Sequence, residues 1–309
     1  MNVCETIKQL MSQNGYEFRT VSITRLSELQ EDVARPIRQG LIDRQLSDRW
    51  HFYMRANEDL PEAKAIITAA VPQPITRITF EWKGRIFPAD IYPNYIYAED
   101  ERRIEELLSS VLKKNNHKLV KASLAHKTLA VRSGLAEYGR NNISYVQGLG
   151  SFYRLVAFYT DLPCEEETWR ESRAMKACEN CTLCLEDCPT GSITIDRFLI
   201  RAENCLGWRN DLESDNPYWV KYQPDYPTAF IGCMVCQSIC PVNKPYLDNV
   251  VEGPSFSEEE TGQILDAVPL EELSPGIMAK LGVSDGVYPL IPANLKALME
   301  KQKVNESYL

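Results

Sequence analysis

The sequence predicts a mixed α/β protein with a cysteine-rich later part. Strand-like and helix-like patterns alternate up to residue 160, cysteines concentrate between residues 178 and 240, and a helix-like pattern follows. Alternating strands and helices favour a layered sheet covered by helices. We therefore expect an α/β domain over 1–165, a cluster domain over 166–250 and a helical tail over 251–309.

Length and composition limit the function classes. A chain of 309 residues with 44% hydrophobic content can bury a substantial core. The net charge of −9 argues against nucleic-acid binding, and the basic residues over 113–121 are interpreted as a solvated helix end. Without an export signal or an apolar stretch of roughly 20 residues, we expect a cytoplasmic protein that contacts no membrane.

The first part of the chain alternates between the two periodicities. Residues 7–11 are amphipathic, 17–23 alternate like a half-buried strand, and 26–41 have helical spacing. The apolar run 65–71 ends at Pro72, which is typical of an interior strand.

The middle of the chain continues this pattern. Residues 78–87 predict a strand pair that turns near Lys83 and Gly84. We expect helices over 97–114 and 123–137, with a short strand over 118–120 between them. The β-branched and aromatic run 152–160 predicts a further strand. Residues 165–173 are highly charged and are interpreted as a linker, and 270–281 as a helix.

Two cysteine runs carry the clearest chemical signal. The first has the spacing C-x2-C-x2-C-x3-C-P of a cubane iron–sulfur site and comprises Cys178, Cys181, Cys184 and Cys188. The second lacks its first cysteine, since Phe230 stands there, and comprises Cys233, Cys236 and Cys240. Cys205 lies between the runs and can replace the missing ligand.

Eight cysteines are the number that two [4Fe-4S] clusters need. In two-cluster ferredoxins the cysteine before the proline ligates the other cluster. We therefore assign a first cluster to Cys178, Cys181, Cys184 and Cys240, and a second cluster to Cys188, Cys205, Cys233 and Cys236. Structural zinc is the alternative, but zinc knuckles supply two ligands each rather than three. A disulfide framework is disfavoured in so long a chain.

Other common cofactor motifs are missing from the sequence. The glycines near residues 134–150 do not complete a dinucleotide fingerprint, and no phosphate-binding GK[ST] loop occurs. The three histidines, His51, His117 and His126, lack the D-x-H-x-x-G context of a corrin ligand. Any corrin bound here would lack a lower histidine ligand.

Three segments together with the cysteine runs resemble a known family. They are LAVRSGLAEYGRNN at 129–142, GSFYR at 150–154 and TDLP at 160–163. In this order they resemble the cobalamin-dependent reductases, a family that includes epoxyqueuosine reductases and reductive dehalogenases. The resemblance implies a nitroreductase-like α/β domain beside a ferredoxin-like dicluster domain. It also implies base-off cobalamin that is reduced by the clusters, with reduced ferredoxin or flavodoxin as electron donor.

The resemblance also implies a corrin site. Its residues would be Arg132, Gly134, Leu135, Tyr138, Gly139, Arg140, Asn141, Asn142, Tyr145, Gly148, Gly150, Ser151 and Arg154. Candidate acids are Tyr138 with Arg140, or Tyr153 with Arg154, by analogy with the dehalogenase tyrosine and its basic neighbour. Lys121 is a further candidate catalytic residue.

The chain also departs from the family. Epoxyqueuosine reductases carry a proton-donating aspartate shortly before the RAGL-type segment, whereas residues 119–123 here read LVKAS, without a carboxylate. The tail shows no helical repeat, so tRNA is not expected as a partner. The prediction is an oxidoreductase that reduces a small organic substrate at cobalt. The alternatives are an electron-transfer protein that reduces a corrinoid or flavin partner, or a non-catalytic corrinoid-binding protein.

Overall fold

The computed structural model describes residues 2–44, 47–48, 57–92, 99–210, 231–283 and 285–306. The chain forms two compact units: Met1–Pro72 with Ala98–Cys181, and Gln73–Tyr97 with Thr182–Leu309. The three domains expected from the sequence remain a prediction, because a division into two compact units does not test their boundaries. Among the described residues, no helix is both long enough and apolar enough to span a bilayer.

The described elements are numbered in chain order. The strands are β1 (Glu17–Ser22), β2 (Ala65–Pro72), β3 (Ile75–Trp82), β4 (Arg85–Ile91), β5 (Leu119–Lys121), β6 (Glu137–Tyr138), β7 (Ser144–Tyr145), β8 (Tyr153–Thr160) and β9 (Val250–Phe256). The helices are α1 (Val3–Gln13), α2 (Leu26–Arg38), α3 (Glu99–Leu112), α4 (His126–Arg132), α5 (Leu183–Glu186), α6 (Leu206–Asn210), α7 (Val235–Ser238), α8 (Glu258–Leu265), α9 (Ile277–Leu281) and α10 (Ile291–Glu306).

The first unit is built on an antiparallel sheet in the order β1-β2-β8-β5. Central strand β2 is buried along its length except at Pro72, which confirms the interior strand predicted from its apolar run. Ile67 faces a core formed with α1 and α3, whereas Ile66 faces a second core formed with α2 and α4. Because successive side chains of a strand point to opposite faces, helices on both faces require an unbroken apolar sequence.

The second unit contains a smaller sheet in the order β4-β3-β9. The predicted hairpin of β3 and β4 is confirmed, and Lys83 (φ 52°) and Gly84 (φ 72°) form its tight turn. Two consecutive residues with positive φ match the twist of antiparallel strands. Edge strand β9 runs parallel to β3.

The sequence did not predict β9, since the tail was expected to be helical. A Cβ at Gly253 would lie 2.8 Å from Cγ2 of Thr76 and 2.9 Å from Cγ2 of Ile78, so only glycine allows the strands to approach. Pro254 lacks an N–H donor and is tolerated at this edge position. The Phe256 ring then stacks on Phe80, with centroids 4.7 Å apart.

The tail after β9 is helical, as expected, and it encloses the core of the second unit. Helix α8 begins with a capping box between Ser257 and Glu260. The core includes residues from β3, β4, α8, α9 and α10, together with Leu206 and Ile231 from the cysteine region. The predicted helix over 270–281 is interrupted: α9 alone is α-helical there, after a 3-10 turn at Leu270–Glu272.

Candidate functional site

Helix α4 and the β6–β7 hairpin carry most of the predicted corrin-binding residues. The helix predicted over 123–137 is shorter in the structure, because Gly134 has φ 76° and the chain turns there. A Cβ at Gly134 would lie 3.0 Å from Cγ2 of Thr168. Leu135 after the turn is buried. The turn brings residues 137–138 into the hairpin instead of extending the helix.

Arg132 is buried at the end of α4 among acidic partners. Its guanidinium lies 2.9 Å from Glu28, 3.2 Å from Asp32 and 3.1 Å from Glu171, and it stacks 4.8 Å from the Trp169 ring centroid. The charge is therefore compensated within the chain, as a buried cation requires. Its assignment to a corrin remains a prediction.

Hydroxyl and amide groups around the hairpin contact one another. The Tyr153 hydroxyl donates to Oγ of Ser144 at 2.8 Å, and Nδ2 of Asn141 donates to the Tyr145 hydroxyl at 2.9 Å. The Tyr138 hydroxyl lies 3.2 Å from Oγ1 of Thr128 on α4. We name Tyr138, Tyr145 and Tyr153, all buried, the tyrosine set.

Burial controls the protonation of this set. Loss of water around the Tyr153 phenol, only partly offset by the Ser144 hydrogen bond, raises its pKa above the usual 10.0. Burial raises the pKa of Tyr138 in the same direction. Both phenols therefore keep their protons at neutral pH, as a proton donor must.

The turns beside the tyrosine set use unusual backbone conformations. A Cβ at Gly139 would lie 2.5 Å from Oδ1 of Asn141 and 2.6 Å from Cε2 of Tyr145. Asn142 follows with φ 58°, and its N–H donates to the Gly139 carbonyl at 2.9 Å. The next turn contains Gly148 (φ 80°), Gly150 (φ 58°) and buried Ser151.

Two other candidate residues share an acidic partner on α3. Lys121 and Arg154 lie 2.5 Å and 3.5 Å from the Glu101 carboxylate. The Lys121 side chain is 61% exposed, which matches a surface ion pair better than a buried proton donor. His126 is half-buried nearby. Loss of water around its ring lowers the pKa of the imidazole, which accordingly favours the neutral form.

The charged segment over 165–173, expected to be a linker, is anchored to the first unit. Asn2 donates to Glu165 at 2.8 Å, Arg25 contacts Glu167 at 2.7 Å, and Trp169 donates to Glu28 at 2.9 Å. Further along, Arg170 donates to the Ala136 carbonyl at 2.9 Å. The segment therefore packs against the first unit on its way toward Cys178, and the domain boundary that it was expected to mark remains a prediction.

The second-cluster cysteines are grouped in the second unit. Burial, followed by the charges of Cys205 and Cys188, raises the pKa of Cys233 to about 12. Burial also raises the pKa of Cys236, and Cys205, Cys233, Cys184 and Cys188 add to the shift through their charges. Such thiols ionise when they bind metal, because coordination deprotonates a thiol.

Cys188 has a different environment. Burial opposes its ionisation, but backbone hydrogen bonds from Thr190, Ile193 and Ser192 outweigh burial and lower the pKa of this thiol. The Ser192 N–H donates to Sγ at 3.3 Å. Hydrogen bonds of this kind stabilise cluster thiolates and tune their potential. Cysteine thiolates are soft donors, and a group of them fits the ligand set of an iron–sulfur cluster.

Zinc was the alternative metal for these cysteines. Within the described ranges, no group of three or more His, Cys, Asp or Glu side chains is arranged to hold a single metal ion.

In the first unit, Arg140 reaches the first-cluster segment. Its Nη2 donates to the Cys178 carbonyl at 2.7 Å, and its Nε donates to the Cys181 carbonyl at 2.9 Å. The sequence suggested Arg140 as a partner of a catalytic tyrosine and did not suggest this contact. An arginine two residues after a tyrosine gives no signal in the sequence of where its guanidinium points.

The tyrosine set also allows a test of the implied corrin. Pockets for organic cofactors combine aromatic or apolar faces with a few neutral hydrogen-bonding groups. Tyr138 and Tyr153 belong to one apolar cluster with Val146 and Leu155. The phenols, hydroxyls and amide of this region are uncharged, so they fit a macrocycle rimmed with amide groups.

Comparison with known proteins supports the dicluster interpretation. Residues 177–243 match the family described as "4Fe-4S double cluster binding domain". This range contains the eight assigned cysteines and lies within the predicted cluster domain.

Curated relatives are reductases. An epoxyqueuosine reductase from Bacillus subtilis (strain 168) is 25% identical over 195 residues, which cover 60% of this chain and 49% of that protein. A tetrachloroethene reductive dehalogenase from Desulfitobacterium hafniense is 30% identical over 125 residues, which cover 38% of this chain and 22% of that protein. The chain thus matches about half the length, or less, of these relatives.

Solved structures show the same fold. The epoxyqueuosine reductase from Streptococcus thermophilus aligns with a TM-score of 0.66 at 17% identity, covering 98% of this chain and 82% of that one. In sequence, the chain is similar to epoxyqueuosine reductases and to a reductive dehalogenase, as the resemblance predicted. Another epoxyqueuosine reductase, with a TM-score of 0.60 and 19% identity over 98% of this chain and 84% of that one, was solved with a modified tRNA stem loop. The expectation that tRNA is not a partner therefore has no support.

Proposed function

We propose that this protein is a cobalamin-dependent iron–sulfur reductase. Electrons from reduced ferredoxin or flavodoxin would pass through two [4Fe-4S] clusters to an organic substrate. The observation that carries the proposal is the occurrence, in one chain, of the dicluster cysteines and the buried tyrosine set. When bound, reduced cobalamin supplies the strong nucleophile or electron donor of the reaction.

The chain's own contribution would be binding and proton supply. Tyr138, Tyr145 and Tyr153 would contact the corrin with neutral groups, and the adjacent turns would let backbone approach it closely. Tyr153 is the best-supported acid, because its phenol is buried, protonated and oriented by Ser144. Tyr138 lies close enough to influence the Tyr153 pKa and is the second candidate.

The substrate is proposed only by class. The relatives named above are reductases of epoxyqueuosine or tetrachloroethene. One similar structure is described as having a catalytic aspartate loop, whereas residues 119–123 of this chain contain no carboxylate. We therefore favour a substrate whose reduction takes its proton from a phenol. A tRNA-borne base and a free small molecule both meet this condition.

The test is anaerobic reconstitution followed by cobalamin titration, monitored by visible absorption and EPR. We expect a base-off cobalt spectrum with saturable binding. Tyr153→Phe should retain binding and lose turnover of epoxyqueuosine-modified tRNA or a halogenated alkene, with Tyr159→Phe as the control. Cobalamin binding no stronger than that of a plain ferredoxin would contradict the proposal.

An electron-transfer role is the second candidate. The observation that favours it is that Arg132, Arg140 and Arg154 already contact partners within the chain. It predicts reduction of a corrinoid or flavin protein without turnover of any small substrate.

A further inference from the structure

One guanidinium fixes two carbonyls of the first-cluster segment. Arg140 donates through Nη2 to Cys178 and through Nε to Cys181, at 2.7 Å and 2.9 Å. The direct contact between these residues is weaker, since the Cys181 N–H lies 3.5 Å from the Cys178 carbonyl. Arg140 therefore sets the spacing of the two carbonyls, because a guanidinium is planar and presents its donors in a fixed fork.

The backbone that carries Arg140 is itself tightly constrained. The Gly139 N–H donates to the Ile143 carbonyl at 2.7 Å, and the Asn142 N–H returns to Gly139 at 2.9 Å. Side chains of Asn141 and Tyr145 lie so close to Gly139 that a Cβ at this position would require them to move. The guanidinium thus extends from a rigid hairpin turn and transmits its position to the cysteines.

The same hairpin also holds the segment before Cys178 through backbone hydrogen bonds. The Tyr138 N–H donates to the Arg173 carbonyl at 3.1 Å, and the Met175 N–H donates to the Tyr138 carbonyl at 2.8 Å. Tyr138 and Ala174 form a parallel β-bridge. The segment before Cys178 is therefore held at its backbone, while Arg140 holds the ligand loop itself.

We infer that Arg140 is a positioning residue for the cluster bound by Cys178 and Cys181. It fixes the loop through two carbonyls and places a permanent positive charge beside the cluster. Reduction adds negative charge to a cluster, and a nearby cation favours that charge. Arg140 therefore stabilises the reduced state as well as the loop. This inference rests on the cluster half of the proposed function and needs no cobalamin.

The experiment compares Arg140→Gln and Arg140→Lys with wild type in the full chain after anaerobic reconstitution. The matched control is Arg19→Gln, which removes an exposed arginine that contacts Glu17 in the same unit. The readouts are an EPR-monitored redox titration and the rate at which a chelator removes iron. Neither readout depends on turnover.

The two variants separate charge from geometry. Arg140→Gln should move one cluster's midpoint to a more negative potential and accelerate iron loss several-fold. Arg140→Lys keeps the charge and loses the fork, so its midpoint should stay near wild type while iron loss is still accelerated. Arg19→Gln should match wild type in both readouts.

Other outcomes overturn the inference. Wild-type midpoints and wild-type iron-loss rates in Arg140→Gln would contradict it, as would identical behaviour of Arg19→Gln and Arg140→Gln. If Arg140→Gln fails to fold, Arg140→Lys provides the test. Iron loss from Arg140→Lys at the wild-type rate would then refute the role of the planar guanidinium in holding the two carbonyls. A wild-type chain that binds no clusters would instead refute the proposed function.

Discussion

The tyrosine set is buried and the second-cluster cysteines are half-buried, and the two groups differ in how their polar atoms are satisfied. In the first unit, phenols, hydroxyls and an amide donate to one another at 2.8 to 3.2 Å. In the second unit, Cys233 and Cys236 lie among other thiols that oppose their ionisation. Neutral groups can satisfy one another inside a protein, whereas thiolates need a metal cation.

The difference indicates which region depends on cofactor for its stability. The hairpin around Tyr138 and Tyr145 can fold from its own hydrogen bonds. The cysteine region gains folding free energy from iron, because metal binding and folding are linked in such sites.

Cys236→Ala should produce the largest change. It removes a ligand of the second cluster, so we expect about four of about eight irons to be lost, with local unfolding of the cysteine region. The measurement is iron content together with proteolytic sensitivity. Cys164→Ala is the control, since Cys164 lies in the first unit with its thiol against the Glu166 carbonyl. Equal iron content in the two variants would refute the ligand assignment.

Phe256→Ala tests the core that supports the cysteine region. Its ring is fully buried against Phe80, so truncation should lower the free energy of unfolding of the second unit by about 3–5 kcal/mol. Denaturant melts give the value. Ile86→Ala, at a side chain that is 66% exposed, should change stability by less than about 0.5 kcal/mol. Similar losses in both variants would place the core elsewhere.

Tyr153→Phe tests whether the tyrosine set is internally satisfied. It leaves buried Ser144 without its donor, so we expect a stability loss of about 1–3 kcal/mol. Burial raises the folded-state pKa of Tyr153, so its contribution persists below pH 10.0 and falls as pH rises further. Phenolate absorbance in wild type minus variant should therefore appear only well above pH 10.0. Normal titration near 10.0 would contradict burial.

The smallest expected effect is on how stability depends on pH in the acid range. Burial lowers the folded-state pKa of His126 below 6.5, so the unfolded chain binds the proton more readily. Its contribution to stability is present above pH 6.5 and is lost as pH falls through the folded-state pKa. His126→Gln should flatten this part of the stability profile relative to wild type. An unchanged slope in His126→Gln would refute the assignment.

Local patterns predicted much of the fold. Three local patterns predicted the structure found at their own positions: the apolar run of β2, the turn at Lys83 and Gly84, and the helical spacing of α3. Strand β9 escaped detection because its partner β3 is distant in sequence and because Gly253 and Pro254 resemble turn residues. Long-range pairing leaves no local signal.

The candidate site was predictable only in part. Cysteine spacing predicted the double-cluster domain that residues 177–243 match, since cluster ligation constrains the sequence directly. The individual ligands remain a prediction. The partners of Arg132 and Arg140 could not be predicted, because a long side chain can reach many positions. The anchored segment after Cys164 was read as a linker from its charge, yet those charges meet partners such as Arg25.

The most direct test of the account is the iron and acid-labile sulfide content of anaerobically reconstituted protein, combined with EPR of the reduced state. We predict about eight irons and eight sulfides per chain, with signals from two interacting [4Fe-4S] clusters. A content of about four irons, or tightly bound zinc in place of iron, would contradict the assignment of eight cysteines to two clusters.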